Sequence, residues 1–191
     1  MKKVVLIVGH SLIRQGASNT NYTINENPVT EYSFNNLLAD RIKRINKKES
    51  IEIAIEYRDT DYEALPQEVN EQDGNLIISM HCNAFNKKAS GCETLYYKHT
   101  KISDKIAAIM QSHLNTIMQN NDRGIKPREH NRALKIYERG AYLMKYVKAP
   151  CVICEPFFID NDKELDFALL NVDKLALAYL RGIEQSLDEV V

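Results

Sequence analysis

Apolar residues along this chain recur with two periods. Val4 to Val8 and Leu76 to Ile78 are short uninterrupted runs rich in β-branched residues, the pattern of strands buried on both faces. Ile51, Ile53, Ile55 and Tyr57 alternate with polar residues, as do positions 91–97, so both stretches predict strands, the second an edge or antiparallel one. Cys151 to Cys154, behind Pro150, predicts a last strand that ends at Glu155.

Helical spacing fills the intervals. Tyr32, Phe34, Leu37, Leu38, Ile42 and Ile45 form one stripe behind Thr30, a plausible N-cap, with Glu31 in the first turn where the helix dipole favours a negative charge. A short helix fits 62–72, after a loop at 58–61, and a longer one opens at Ser103 with Ile106, Met110, Leu114 and Met118 inward. Leu165, Leu169, Leu175, Tyr179 and Ile183 predict a single final helix over about 163–187. The polar segment 9–28 and residues 121–127 are predicted as loops, and 128–146 is basic and mixed in pattern, with no assigned structure. Strands alternating with helices predict an α/β fold: one domain over 1–191, with a mainly parallel twisted sheet flanked by helices on both faces.

Composition narrows the function classes. With 44% hydrophobic and 27% charged residues the chain is not disordered, and a net charge of −1 gives no global attraction to nucleic acid or anionic membrane. No run approaches ~18 apolar residues, so membrane insertion is not expected. The opening MKKVVLIVGHS has too short an apolar part for an export signal and is better taken as the first strand. Cys151 and Cys154 have CxxC spacing, but three residues apart on a strand they face opposite ways. They are expected to be buried, reduced and structural, as are Cys82 and Cys92.

Four polar residues stand where the predicted elements end. His10 follows the first strand, His81 closes the strand in NLIISMHCNAF, Glu155 closes the last, and Glu31 heads the helix after the first loop. Carboxyl ends of parallel strands share one edge of a sheet, where ligands bind. Two imidazoles and a carboxylate are a three-ligand set of the kind that holds catalytic zinc with a fourth position open to water. Glu155 would then act as general base and pass the proton to a leaving nitrogen. Against this stands the ordinary alternative of strand-end polar residues satisfied by hydrogen bonds. Glu26 competes with Glu31 for the ligand role, Glu93 belongs either to a solvated face or to a groove, and His99, His113 and His130 are expected at or near the surface.

The blocks VLIVGHS, Glu31 with Asn35, NLIISMHCNAF, GCETLYY, DRGIK and CVICEPFFIDN occur in an order that resembles the zinc-dependent N-acetylmuramoyl-L-alanine amidases of the amidase_3 type, over nearly the whole chain. The resemblance implies one zinc ion held by His10, Glu31 and His81, and a catalytic Glu155. The implied reaction is hydrolysis of the amide between the lactyl group of N-acetylmuramic acid and L-alanine, with peptidoglycan as partner. Asn83 is then expected to hydrogen-bond substrate or to fix the turn, and Lys126, Arg128, Arg132 and Lys135 to meet stem-peptide carboxylates or to form a solvated basic face.

The chain departs from the family pattern in four places. Ser11-Leu12 stand for two glycines, Cys82 for an alanine and Phe157 for a glycine, and residues 128–139 are longer and more basic. Cys82 is expected in the core, Phe157 to narrow the groove or shift peptide preference, and the longer segment to cover or grip substrate. Without a visible export signal or a separate wall-binding domain, the chain resembles a phage endolysin. An exported spore or autolysis enzyme without its leader is the alternative. Another zinc amidohydrolase or peptidase and a non-catalytic wall-binding module remain the competing functions, and nothing in the chain indicates its oligomeric state.

Overall fold

A computed structural model describes residues 1–58 and 61–190, so the loop predicted at 58–61 falls partly outside the described residues. Strand β1 (Lys2–Val8) is followed by β2 (Ser18–Ile24), β3 (Asn27–Thr30), helix α1 (Glu31–Ile45) and β4 (Ile51–Tyr57). Helix α2 (Leu65–Glu71), β5 (Leu76–Met80), β6 (Cys92–Tyr97) and α3 (Ser103–Met118) come next. After them lie β7 (Asp122–Arg128), β8 (His130–Asn131), β9 (Ile136–Tyr137), α4 (Ala141–Tyr146), β10 (Cys151–Glu155), α5 (Asp162–Leu170) and α6 (Val172–Glu189).

Six strands form one sheet in the order β4-β1-β5-β10-β6-β7. The first four run parallel; β6 lies antiparallel to β10, and β7 runs parallel to β6. β1 is central, which its apolar run requires: Val4, Leu6 and Val8 enter the larger core, Val5 and Ile7 the smaller one on the opposite face. Helices α1, α3 and α6 cover the first face, and α2 and α4 the second. The fold is thus the predicted single α/β domain. All four cysteines are free and buried, and burial pushes the Cys151 and Cys154 thiols well up. Among the described residues no helix is long and apolar enough to cross a membrane.

Three expectations change. The polar stretch 18–30 is a β-hairpin: Ile24 pairs with Asn27 across Asn25 and Glu26, both at positive φ, as a two-residue primed turn requires. Its residues carry little apolar periodicity because the hairpin lies outside the main sheet. Residues 122–128 are an edge strand, in which Pro127 is tolerated, and the ladder skips Arg123 as the extra residue of a bulge. The final helix breaks at Asn171, whose side-chain amide donates to the Phe167 carbonyl at 2.9 Å and competes with the helical ladder.

The start of α1 is held by a reciprocal cap. The Thr30 hydroxyl accepts from the Ser33 N–H at 3.1 Å, and the Ser33 hydroxyl accepts from the Thr30 N–H at 2.9 Å. This pair fixes the first turn, and so the direction in which Glu31 leaves the helix. Thr30→Ala should lower stability by about 1 kcal/mol, measured by urea unfolding, since one cap acceptor is lost. An unchanged midpoint would show that the cap is redundant.

Candidate metal centre

The chain leaves β1 through Gly9 into His10. A Cβ on Gly9 would lie 2.3 Å from the Met80 carbonyl oxygen and 2.8 Å from the His81 ring, so the turn admits glycine alone. His10 itself has φ +69°, an uncommon left-handed conformation of the sort held at functional sites by surrounding structure. Gly16, at φ +78°, presses on the other imidazole: a Cβ there would come within 2.6 Å of the His10 ring. Each imidazole is therefore seated against a glycine.

Glu31 completes the group. Its Oε1 accepts the Ala17 N–H at 3.0 Å and its Oε2 the Cys82 N–H at 3.3 Å, so backbone from the first loop and from the end of β5 aims the carboxylate. Oε2 stands 3.1 Å from His10 Nε2 and 3.4 Å from His81 Nδ1. Among the described residues these three offer ligand atoms that all lie within 4.8 Å of one another. Both ring nitrogens are buried and lack a hydrogen-bond partner. Leaving two such groups unsatisfied costs on the order of 1–3 kcal/mol each. A cation shared with the carboxylate satisfies both, and two imidazole nitrogens with one carboxylate oxygen are the donors of a catalytic zinc site. The residues fit a zinc ion.

The charge states agree. Burial by itself raises the Glu31 carboxyl, but the adjacent His10 and His81 outweigh it and hold the group well below the usual carboxylate range. Burial lowers the His81 imidazole, keeping it neutral as a ligand must be, although Glu31 pulls the other way. Glu155 differs. It is 3% exposed, and burial, with Glu93 and Glu31 adding to it, pushes its carboxyl up to about 7 against the opposing pull of Arg139. A buried carboxyl poised near neutrality is suited to accept and return a proton.

A family model described as N-acetylmuramoyl-L-alanine amidase (Amidase_3) matches residues 4–185. The chain belongs to that family. A germination-specific N-acetylmuramoyl-L-alanine amidase of Bacillus subtilis is 31% identical over 120 residues, 60% of this chain and 46% of that protein. The chain thus spans less than half the length of this curated relative. An N-acetylmuramoyl-L-alanine amidase from Clostridium difficile 630 has a similar fold, with a TM-score of 0.82 at 19% identity over 98% of this chain and 97% of the other. The catalytic domain of the CD27L endolysin targeting Clostridia difficile gives 0.76 at 23% identity over 97% and 98%.

Two hollows flank Glu155 in this amidase-family chain. A cavity of about 440 Å³ reaches from His10, His81 and Glu155 over the face of the sheet to α4 and the β8–β9 hairpin. A second groove runs from Glu155 past Asn83, Phe85, Arg123 and Arg128. Glu155, Leu95 and Arg139 line both. Because β6 is antiparallel, its first residues meet the end of β10, and Glu93 pairs directly with Glu155. Glu93 is a buried groove residue: Oε2 accepts from Arg123 Nε at 2.7 Å and Oε1 from Asn83 Nδ2 at 2.9 Å. Asn83 also fixes the strand end, its N–H donating to the Phe157 carbonyl at 2.8 Å.

The other positions separate. Arg128 lines the groove, whereas Arg132 and Lys135 are exposed on the β8–β9 hairpin and line neither hollow. Glu26 is exposed in the β2–β3 turn and does not join the converging ligand atoms. Phe157 does not narrow the groove; it is buried edge-to-face on Phe34, 4.9 Å between centroids. Cys82 is in the core as expected, with the Asn35 amide donating to its sulfur at 3.8 Å. His99 is exposed and His113 half-buried, but His130 is buried among Tyr137, Tyr142 and Tyr146. Arg139, whose Nη2 lies 3.6 Å from Glu155 Oε1, escapes sequence reasoning because its signal is weak: one arginine within a basic, aperiodic stretch.

The folded chain holds the Glu155 proton more tightly than the unfolded chain does, since about 7 exceeds the unfolded value of ~4.3. The contribution of Glu155 to the stability of the metal-free protein therefore falls as pH rises between those values and levels off above them. Glu155→Gln removes this cost. Its thermal-midpoint advantage over the parent, measured with chelator, should be small near about pH 4 and grow to a plateau above about pH 8, with a ceiling on the order of 3 kcal/mol. A pH-independent difference would contradict the raised value.

Proposed function

We propose that this chain is a zinc-dependent peptidoglycan amidase that hydrolyses the amide between the lactyl group of N-acetylmuramic acid and L-alanine of the stem peptide. The observation that carries this reading is the convergence of His10 Nε2, Glu31 Oε2 and His81 Nδ1, two of them orphaned nitrogens, with both histidines bordering the same hollow as the buried carboxyl of Glu155. Membership of the amidase family supplies the substrate class. The site of action is then the bacterial cell wall.

His10, Glu31 and His81 would hold the ion. When bound, zinc supplies Lewis acidity, which polarises the scissile carbonyl and makes the attacking water more acidic. Glu155, as carboxylate, takes a proton from that water while the water oxygen bonds to the carbonyl carbon. The same carboxyl returns the proton to the alanine nitrogen as the carbon–nitrogen bond breaks, leaving a free muramoyl carboxylate and a free amine. Arg139 stands beside Glu155 and favours its ionised form, balancing the burial that favours the acid.

The purified protein should contain about one zinc per chain, as a set of three protein ligands predicts. It should release L-alanine amino groups from cell walls and stop doing so after chelation. Glu155→Ala should keep its zinc and lose about 10²- to 10⁴-fold in kcat, the usual contribution of a general base. Loss of zinc from that variant would make Glu155 a ligand instead. Amide products lacking a new L-alanine terminus would point to a different zinc amidohydrolase.

A further inference from the structure

From the two hollows that meet at Glu155 we infer how the substrate lies across the site, an inference that rests on the amidase reading. The cavity toward α4 takes the N-acetylmuramoyl saccharide, and the groove toward β7 takes the acidic stem peptide.

The lining residues set this orientation. Since Glu155 borders both hollows, the bond it serves sits at their junction, and the two sides of the amide must diverge into them. The hollows differ in chemistry. The cavity has an apolar floor from Leu65, Leu95, Leu143 and Ile153, and its wall carries the rings of Tyr62, Tyr137 and Tyr142. Tyr62 and Tyr142 pack together at 5.8 Å between centroids, and Tyr137 is 61% exposed. Rings with an apolar face and a polar edge suit an uncharged, hydroxyl-bearing ligand of intermediate polarity. His130 stands in the same wall, 8% exposed, with its Nε2 buried and unpartnered. A sugar hydroxyl or acetamido group can satisfy it as donor or acceptor.

The groove is built for charge. Arg123, Arg128 and Arg139 border it. Arg123 is engaged by Glu93 and lies over the Phe158 ring at 5.1 Å, and Arg139 stands 3.6 Å from Glu155, which leaves Arg128 for a ligand carboxylate. Exposed Phe85 also lines the groove. A stem peptide carries carboxylates beyond its first alanine, whereas the saccharide, once its lactyl carboxyl is bound in the amide, carries none. The opposite placement would set carboxylates among tyrosine rings, with only Arg58 and Arg139 as cations there and Glu63 and Glu138 opposing them.

The wall of the cavity also gives a role to the segment 128–139 that departs from the family pattern. The β8–β9 hairpin and the start of α4 bring Tyr137, His130 and Tyr142 over the sheet. The hairpin's tip holds Lys135 at φ +56°, outside the hollow.

The test compares two substrates that share the scissile amide: a muramoyl peptide, and the same peptide carrying a lactoyl group without the sugar ring. Tyr137→Ala, at an exposed position, should raise KM about tenfold for the muramoyl peptide with little change in kcat, and leave the lactoyl peptide unaffected. Arg128→Ala should raise KM for both. Equal effects of Tyr137→Ala on the two substrates, or no effect on either, overturn the placement. Binding gives a second readout independent of turnover. N-acetylmuramic acid methylamide, which has no free lactyl carboxylate, should shift the NMR resonances of Tyr62, Tyr137 and His130, and L-alanyl-D-glutamate those around Arg123, Arg128 and Phe85. The reverse pattern overturns the inference while leaving the amidase reading intact. Failure of the unaltered zinc-loaded enzyme to cleave either substrate overturns both.

Discussion

The carboxylate of Glu31 is the constraint on which this architecture turns. One of its oxygens is held by Ala17 from the first loop, and the other faces Cys82, His10 and His81 together. Three distant segments are thereby tied to a single side chain. The Thr30–Ser33 cap sets the helix start, and the glycines at 9 and 16 allow the imidazoles to approach. Each of these features is ordinary alone. Together they hold two nitrogens and an oxygen of low proton affinity at metal-binding separation.

The sheet explains why Glu155 stands where it does. β1, β5 and β10 are parallel neighbours, so their carboxyl ends bring His10, His81 and Glu155 to one edge. The reversal at β6 adds something that a purely parallel sheet would not. It puts the start of a strand at this edge, and with it Glu93, bonded to Asn83 and Arg123. A carboxyl beside a second carboxylate and largely out of water keeps its proton to higher pH, while Arg139 limits the effect. Burial is the chief cause of the poise of Glu155, and strand direction adds Glu93 to it.

Around that centre the fold builds two unlike surfaces. The face under α2 and α4 is apolar and closes into a cavity with an aromatic wall; the β6–β7 side is lined by arginines. The bulge at Arg123 contributes to the second by turning one edge-strand side chain inward to Glu93. The irregularities of the chain thus fall beside the site, where they shape what can enter.

The sequence by itself determined the elements with strong periodicity and the residues at their ends. β1, β5 and β10 are legible because strands buried on both faces must be apolar throughout, and α1 because its stripe and cap agree. His10, Glu31, His81 and Glu155 were legible for a related reason: each is a polar residue at the end of a buried element. Tertiary structure alone decided the rest. The β2–β3 hairpin and β7 bury little, so hydrophobic pattern does not mark them, and Asn171 breaks a continuous stripe by a side-chain hydrogen bond that periodicity does not register. Glu93 and His130 took their places through the reversal of β6 and a packed tyrosine cluster, and Arg139 through the connection between β9 and α4. Such relations join residues far apart in the chain, and no local spacing encodes them.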